Sequence, residues 1–161
     1  MALRTILTDE DPALHKVCRP YTVFDERLWS LLDDLKETLA HANGAGLAAP
    51  QVGILRRAVI VVDANDEMLE LVNPELVWTD SEQEGFEGCL SVPGRWGMVK
   101  RPMKARVRAQ DRNGSWFEVE GEEIVARCFC HELEHLDGHL FTERSDRLYT
   151  SEELDAMMEQ E

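Results

Sequence analysis

The chain has 161 residues, 43% of them hydrophobic, enough for one domain with a core of its own. Thirty-two acidic residues against 17 basic ones give a formal net charge of −15, which argues against direct nucleic-acid binding and for solubility. No stretch approaches the length of a membrane span, Met1-Ala2-Leu3-Arg4 lacks an apolar signal region, and four cysteines suit a reducing cytoplasm better than a disulfide scaffold. With no internal repeat and no long linker, residues 1–161 are expected to form a single domain.

In chain order, the first expected element is a helix from Asp25 to Ala42, with Leu28, Leu31, Leu32, Leu35 and Leu39 as its apolar stripe. Gly44-Ala45-Gly46-Leu47-Ala48-Ala49-Pro50-Gln51-Val52-Gly53 follows, a small-residue segment in which backbone can approach a ligand closely. It has no Lys-Ser/Thr ending and no dinucleotide fingerprint, so phosphate binding is not expected. Gln51 there offers a neutral N–H donor of the oxyanion-hole type. Ala58 to Asp63 reads as a short strand and Leu69 to Trp78 as another, around Asn73-Pro74. Glu87-Gly88-Cys89-Leu90-Ser91-Val92-Pro93-Gly94 reads as a shaped loop or strand end. Lys104 to Gln110 alternates basic and apolar residues and turns at Asn113-Gly114 into Trp116 to Glu120. A helix then carries Ile124, Cys128, Phe129, Leu133 and Leu136 at mostly helical spacing. Glu122 and Glu123 are expected in its first turn, and Gly138 is its stop. Thr150 and Glu153 form a capping box for a last short helix.

Within the second helix lies His131-Glu132-Leu133-Glu134-His135. Residues four apart share a helix face, so both imidazoles can reach one metal ion. Glu132 sits about 100° round from His131. This puts a carboxylate beside the metal without making it a ligand, where a general base acting on a water belongs. A helix this apolar is largely buried, and its two histidines and glutamate then need partners.

Catalytic zinc-type sites usually take three protein ligands, so a third is required. The position six residues after His135 is Phe141, which excludes the three-histidine arrangement. A downstream glutamate would have to be Glu152, Glu153 or Glu159, in a short acidic tail. Among Cys18, Cys89, Cys128 and Cys130, Cys89 is best placed, because flanking glycines and a nearby proline let its segment aim a thiolate. Cys128 shares the histidine face a turn away and is expected to line the pocket. Cys130 points off that face toward the core, and Cys18 is expected to be a small buried hydrophobe.

Together, the Gly44–Gln51, Glu87–Ser91 and His131–His135 segments resemble the three signature motifs of the peptide deformylases, in that family's order and spacing. Asp11-Pro12-Ala13-Leu14 and Asn73-Pro74 match as well, so the resemblance covers nearly the whole chain. It implies an α+β fold of mixed strands around a central metal-binding helix. It also implies a hydrolase that removes the formyl group from formylmethionine on nascent chains, releasing formate. Cys89, His131 and His135 would bind one divalent ion, ferrous iron by the family's habit, with zinc, nickel or cobalt able to replace it. Glu132 would be the general base, and Gln51 and the Leu90 backbone N–H would hold the oxyanion. Ala45 and Gly46 would pair with the substrate peptide, and Glu87, Arg127 and Cys128 would lie at its pocket. The implied partners are the formyl-Met nascent peptide and, transiently, the ribosome, with no direct contact to nucleic acid or membrane, in the cytoplasm.

Some residues depart from the family pattern. Cys130 stands where Gln is common and Glu134 where Asp is common. Arg127 stands where the family usually has an apolar pocket residue. Either its guanidinium puts a fixed positive charge in the pocket, or its stem packs while the charge reaches water. The acidic tail from Ser151 to Glu161 does not repeat the basic C-terminal helix by which some members dock on the ribosome. Two other readings remain: a zinc endopeptidase of unusual ligation, and a non-catalytic peptide-binding member of the fold.

Overall fold

The computed structural model describes residues 2–159; Met1 and the last two residues of the acidic tail, Gln160 and Glu161, lie outside the described residues. Helix α1 spans Glu26–Ala42. Asp25 caps it by accepting from the Arg27 N–H, and Asn43 ends it in the left-handed region at φ 56°. The five stripe leucines are all buried and form one core with Leu47, Ile60 and Val72. Each such side chain contributes about 1.5–3 kcal/mol on leaving water.

That core lies against an antiparallel five-stranded sheet. Its strands are β1 (Gly46–Ala48), β2 (Ala58–Val62), β3 (Met68–Asp80), β6 (Lys104–Gln110) and β7 (Trp116–Glu122), in the order β1-β2-β3-β6-β7. Pro74 is accommodated where the β3–β6 register shifts between Val72 and Glu75. Asn73 holds that irregularity: it bonds the Tyr21 N–H and carbonyl and the Gln110 side chain.

Helix α2, Ile124–Leu136, packs Val125, Ala126, Phe129 and Leu136 against Val59, Leu71, Val107 and Ala109 of the same sheet. This makes it the central helix of an α+β fold. Two details differ from the sequence reading. Glu122 belongs to β7, and Glu123 precedes the helix at φ 56° with no capping bond, so neither sits in the first turn. Ile124 is 67% exposed, because it is the first helical residue and precedes the buried face. Gly138 follows at φ 82°, as a helix stop requires.

A second sheet has the order β4-β5-β8, from β4 (Gln83–Cys89), β5 (Val92–Arg101) and β8 (Leu148–Tyr149). The β4–β5 hairpin turns at Leu90-Ser91, with Cys89 opposite Val92. Helix α3, Ser151–Glu159, closes the described chain. Its box is formed, Thr150 Oγ1 accepting from the Glu153 N–H at 3.2 Å and the Thr150 N–H donating to Glu153 Oε1 at 3.3 Å.

Candidate metal and active site

Two elements converge on one point. From α2, His131 and His135 lie one turn apart with ring centroids 4.9 Å from each other, edge to face. From the β4–β5 hairpin, Cys89 sits at the last position before the tight turn. Its Sγ is 3.3 Å from His135 Nε2 and 3.5 Å from the Ser91 N–H nitrogen. One ligand atom from each of Cys89, His131 and His135 lies within 4.8 Å of the others.

Three observations show that this set fits a divalent ion. A thiolate with two imidazoles is a donor set that iron and zinc both accept. The His135 ring is buried with its Nδ1 unpartnered, and its Nε2 is directed at the cysteine. Third, the site calls for positive charge. Burial opposes protonation of His131, yet Glu132, Cys89 and Glu87 around it raise its pKa well above the ordinary imidazole value. Burial, with the neighbouring His131 charge, pushes His135 well below it. The groups facing the cluster thus favour positive charge there, which a divalent ion would supply.

His131 is oriented by Glu87. A carboxylate only accepts, so the 2.5 Å contact between His131 Nδ1 and Glu87 Oε1 fixes the proton on Nδ1 and leaves Nε2 for the ligand role. Glu87 is itself clamped. Arg101 donates to both of its oxygens, at 3.2 and 2.7 Å, and Arg127 Nη1 donates to Oε2 at 2.7 Å. Burial would raise the Glu87 pKa, but the bonds from His131 and Arg101 hold it well below the usual carboxylate range. Arg101 continues to Glu134 at 2.5 Å, and Glu134 to Arg144. Glu87, expected at the substrate pocket, lines the cleft, and its oxygens are taken up by His131, Arg101 and Arg127. Arg101 escaped the sequence reading altogether. Its signal was alternation with buried Val99, which puts an arginine on an inward face where it must find an acid.

Glu132 is 3% exposed, and its Oε1 has no hydrogen-bond partner. Burial, chiefly, pushes its pKa up to about 7, with the Glu87 charge adding to the rise and His131 opposing it. Its other oxygen rests on Gly46, where a Cβ would lie only 2.5 Å from Oε2. Glycine at 46 is thus what lets the carboxylate stand against β1. We expect Gly46→Ala to displace Glu132 and lower turnover about 10²-fold, the scale of an ångström-level misplacement. Metal content should remain that of the parent, since no ligand touches Gly46. Parental turnover by Gly46→Ala would contradict this placement.

Gln51 is buried in the short 3₁₀ turn Ala49–Val52 that follows β1. The Ala48 N–H donates to its Oε1 at 2.9 Å, which fixes the amide orientation. Its Nε2 therefore faces the site, 3.0 Å from Ser91 Oγ and 3.6 Å from Cys89 Sγ.

A cleft of about 520 Å³ opens from the cluster. Ala45, Gly46, Leu90 and Cys128 line it beside His131 and Glu132. Cys18 is buried in the main core, and Cys130 is buried outside the cleft. Arg127 lines the cleft too, and its Nη1 pairs with Glu87. Its side chain is largely buried and shares the Glu87 carboxylate with Arg101 and His131. Glu152, Glu153 and Glu159 lie in α3, away from the cluster, and Glu153 is bound to Arg147 and Thr150.

The comparisons with known proteins agree on one family. The family model described as polypeptide deformylase matches residues 3–151. A peptide deformylase from Agathobacter rectalis is 53% identical over 146 residues, covering 89% of this chain and 90% of that protein. One from Caldicellulosiruptor bescii is 51% identical over 155 residues, covering 96% and 93%. The crystal structure of peptide deformylase from Thermotoga maritima superposes with a TM-score of 0.87 at 36% identity, covering 91% of this chain and all of that one.

Proposed function

The chain belongs to the polypeptide deformylase family, and we propose that Cys89, His131 and His135 together hold one divalent metal ion at which it removes the formyl group from N-terminal formylmethionine. The observation that carries this reading is the meeting of that ligand set with a buried, unpartnered Glu132 at the head of one cleft. When bound, the ion supplies a Lewis acid that acidifies water and polarises the formyl oxygen. The protein supplies the rest. Glu132 takes a proton from the attacking water and returns it to the leaving nitrogen as the formamide C–N bond breaks. The products are formate and a free α-amine. Gln51 Nε2 and the Leu90 N–H donate to the oxyanion that forms at the formyl carbon. Glu87 keeps His131 in the ligating tautomer. Ala45 and Gly46 border the path of the substrate backbone, and Cys128 contributes to the apolar pocket for the methionine side chain.

Fe(II) is the ion we assign in the cell, with zinc, nickel or cobalt as working substitutes. The thiolate-imidazole set supports iron or zinc over hard cations. We place the protein in the cytoplasm as a single catalytic domain over residues 1–161, acting on nascent chains in transient contact with the ribosome. Four free cysteines support that compartment, and no described helix is long and apolar enough to cross a membrane. The acidic α3 does not offer the basic docking helix of some relatives, so the contact would use another surface.

The test is formate release from formyl-Met peptides set beside cleavage of unformylated peptides. Formate without internal cleavage is expected, and the reverse would favour the endopeptidase. The pH profile adds a second check. Base catalysis needs Glu132 ionised, and its pKa is pushed up to about 7 by burial, with a bound cation acting to lower it. kcat/KM should therefore fall tenfold per pH unit on an acid limb at or below about pH 7. A profile that stays flat to well below the ordinary glutamate pKa of about 4.3 would exclude Glu132 as the base.

A further inference from the structure

The chain leaves α2 through the Gly138 turn and comes back to the metal ligands at the short 3₁₀ turn Phe141–Arg144. Phe141 stands where a three-histidine enzyme would carry its third ligand. Here it meets the site as an apolar ring. Its centroid is 6.0 Å from that of His131 and the two planes are 22° apart, a stacked pair. Phe141 is 1% exposed and does not line the substrate cleft. It is buried with Val92 and Val99 of β5, and Cys89 packs against the same cluster. One apolar side chain thus adjoins two of the three ligands.

The other end of the turn reaches the same histidine by a longer route. Arg144 Nε donates to Glu134 Oε2 at 2.5 Å, and Arg101 Nη1 donates to Glu134 Oε1 at 2.5 Å. Arg101 also holds Glu87, and Glu87 accepts from His131 Nδ1. The two routes constrain different motions. A single bond at Nδ1 chooses the nitrogen that faces the ion, but it leaves the ring able to tilt about that bond. A flat neighbour on the ring face opposes the tilt. In a close-packed interior neither partner can drift without opening a void.

We propose that the 3₁₀ turn Phe141–Arg144 braces the metal centre, with Phe141 holding the His131 ring at its face and Arg144, through Glu134, Arg101 and Glu87, holding it at its edge. This rests on the reading of Cys89, His131 and His135 as the ligands. Both are positioning residues, since neither lines the cleft. Their effect is on how long the ion stays. A ligand held in its bound orientation is ready to rebind when its bond to the ion breaks, so the ion escapes less often. Partners outside the ligand set commonly supply this hold through hydrogen bonds and through the apolar shell. Leucine at 141 would fill most of the volume without presenting a flat face, so it separates stacking from filling.

The experiment loads the full chain with Zn(II) and follows release of the ion to an excess of a chromogenic chelator, at a temperature where every variant is folded by circular dichroism. Phe141→Leu should release zinc about tenfold faster than the parent, the lower end of what loss of an outer partner costs a metal site. Arg144 is 54% exposed, so its replacement does not endanger the fold. Arg144→Gln should speed release about threefold, the scale of a partly exposed ion pair, and Arg144→Lys should restore part of the loss by keeping a cation for Glu134. Two controls separate the brace from general stability. Leu35→Ala removes apolar volume from the α1 core, and Arg147→Gln removes a neighbouring exposed arginine bound to Glu153; both should release zinc at the parental rate. Parental release by Phe141→Leu or by Arg144→Gln would overturn the proposal, as would Leu35→Ala releasing zinc as fast as Phe141→Leu. A parent that takes up no zinc would overturn the ligand reading beneath it.

Discussion

Glu132→Ala is expected to lower formate release about 10²–10⁴-fold, the usual cost of losing general acid–base catalysis, while the protein keeps its metal. The dissociation of the two readouts follows from the geometry. Glu132 neighbours His131 in sequence and meets the cluster, yet the candidate ligand atoms come from Cys89, His131 and His135. Its carboxylate has one oxygen unpartnered and the other packed on Gly46, so removing it breaks no hydrogen bond that orients a ligand. It also relieves a buried acid whose pKa is already pushed up to about 7 by burial, so the fold should tolerate the change. Near-parental turnover by Glu132→Ala would remove it from the reaction. Loss of metal together with activity would make it a ligand, not a base.

Cys89→Ala should bring metal content from about one per chain to well below that, whereas Cys18→Ala and Cys130→Ala should leave it unchanged. The contrast tests placement rather than thiol chemistry, since all four cysteines are free. Cys89 Sγ is within 3.3 Å of His135 Nε2. Cys18 is packed among Val59, Val61 and Phe129, and Cys130 lines a separate groove with Leu133 and Glu134. Burial raises the pKa of both, which disfavours the thiolate a metal needs. Full metal occupancy in Cys89→Ala would send the search for a third ligand back to the acidic residues of α3.

Much of this was legible before any coordinates. The leucine stripe of α1 and the alternation of β6 follow directly from period and burial. His131 and His135 share a face because a helix of 3.6 residues per turn puts them there. The β4-β5-β8 sheet was not legible. Its inward positions carry Gly85, Glu87 and Arg101, where a strand pattern calls for apolar residues, and its exposed face keeps Phe86 and Met98. The pattern is inverted because Glu87 and Arg101 on that face orient His131. The pairing of Arg127 was hidden for a related reason. Its partner Glu87 is 40 residues away in sequence and on another element, and no local periodicity reports a pairing of that range. Ile124 failed for the opposite reason: its apolar character suggested core, yet it precedes the buried turns of α2 and stands exposed at the mouth of the cleft.

The central claim is that formyl hydrolysis depends on an ion held by Cys89, His131 and His135. The measurement that tests it most directly is metal content and formate release followed together on protein purified anaerobically, then stripped with a chelator and reloaded. One divalent ion per chain is expected, with formate release from formyl-Met-Ala-Ser falling in proportion as the ion is removed and returning when Fe(II) is added back. Undiminished formate release from the stripped protein would contradict the account.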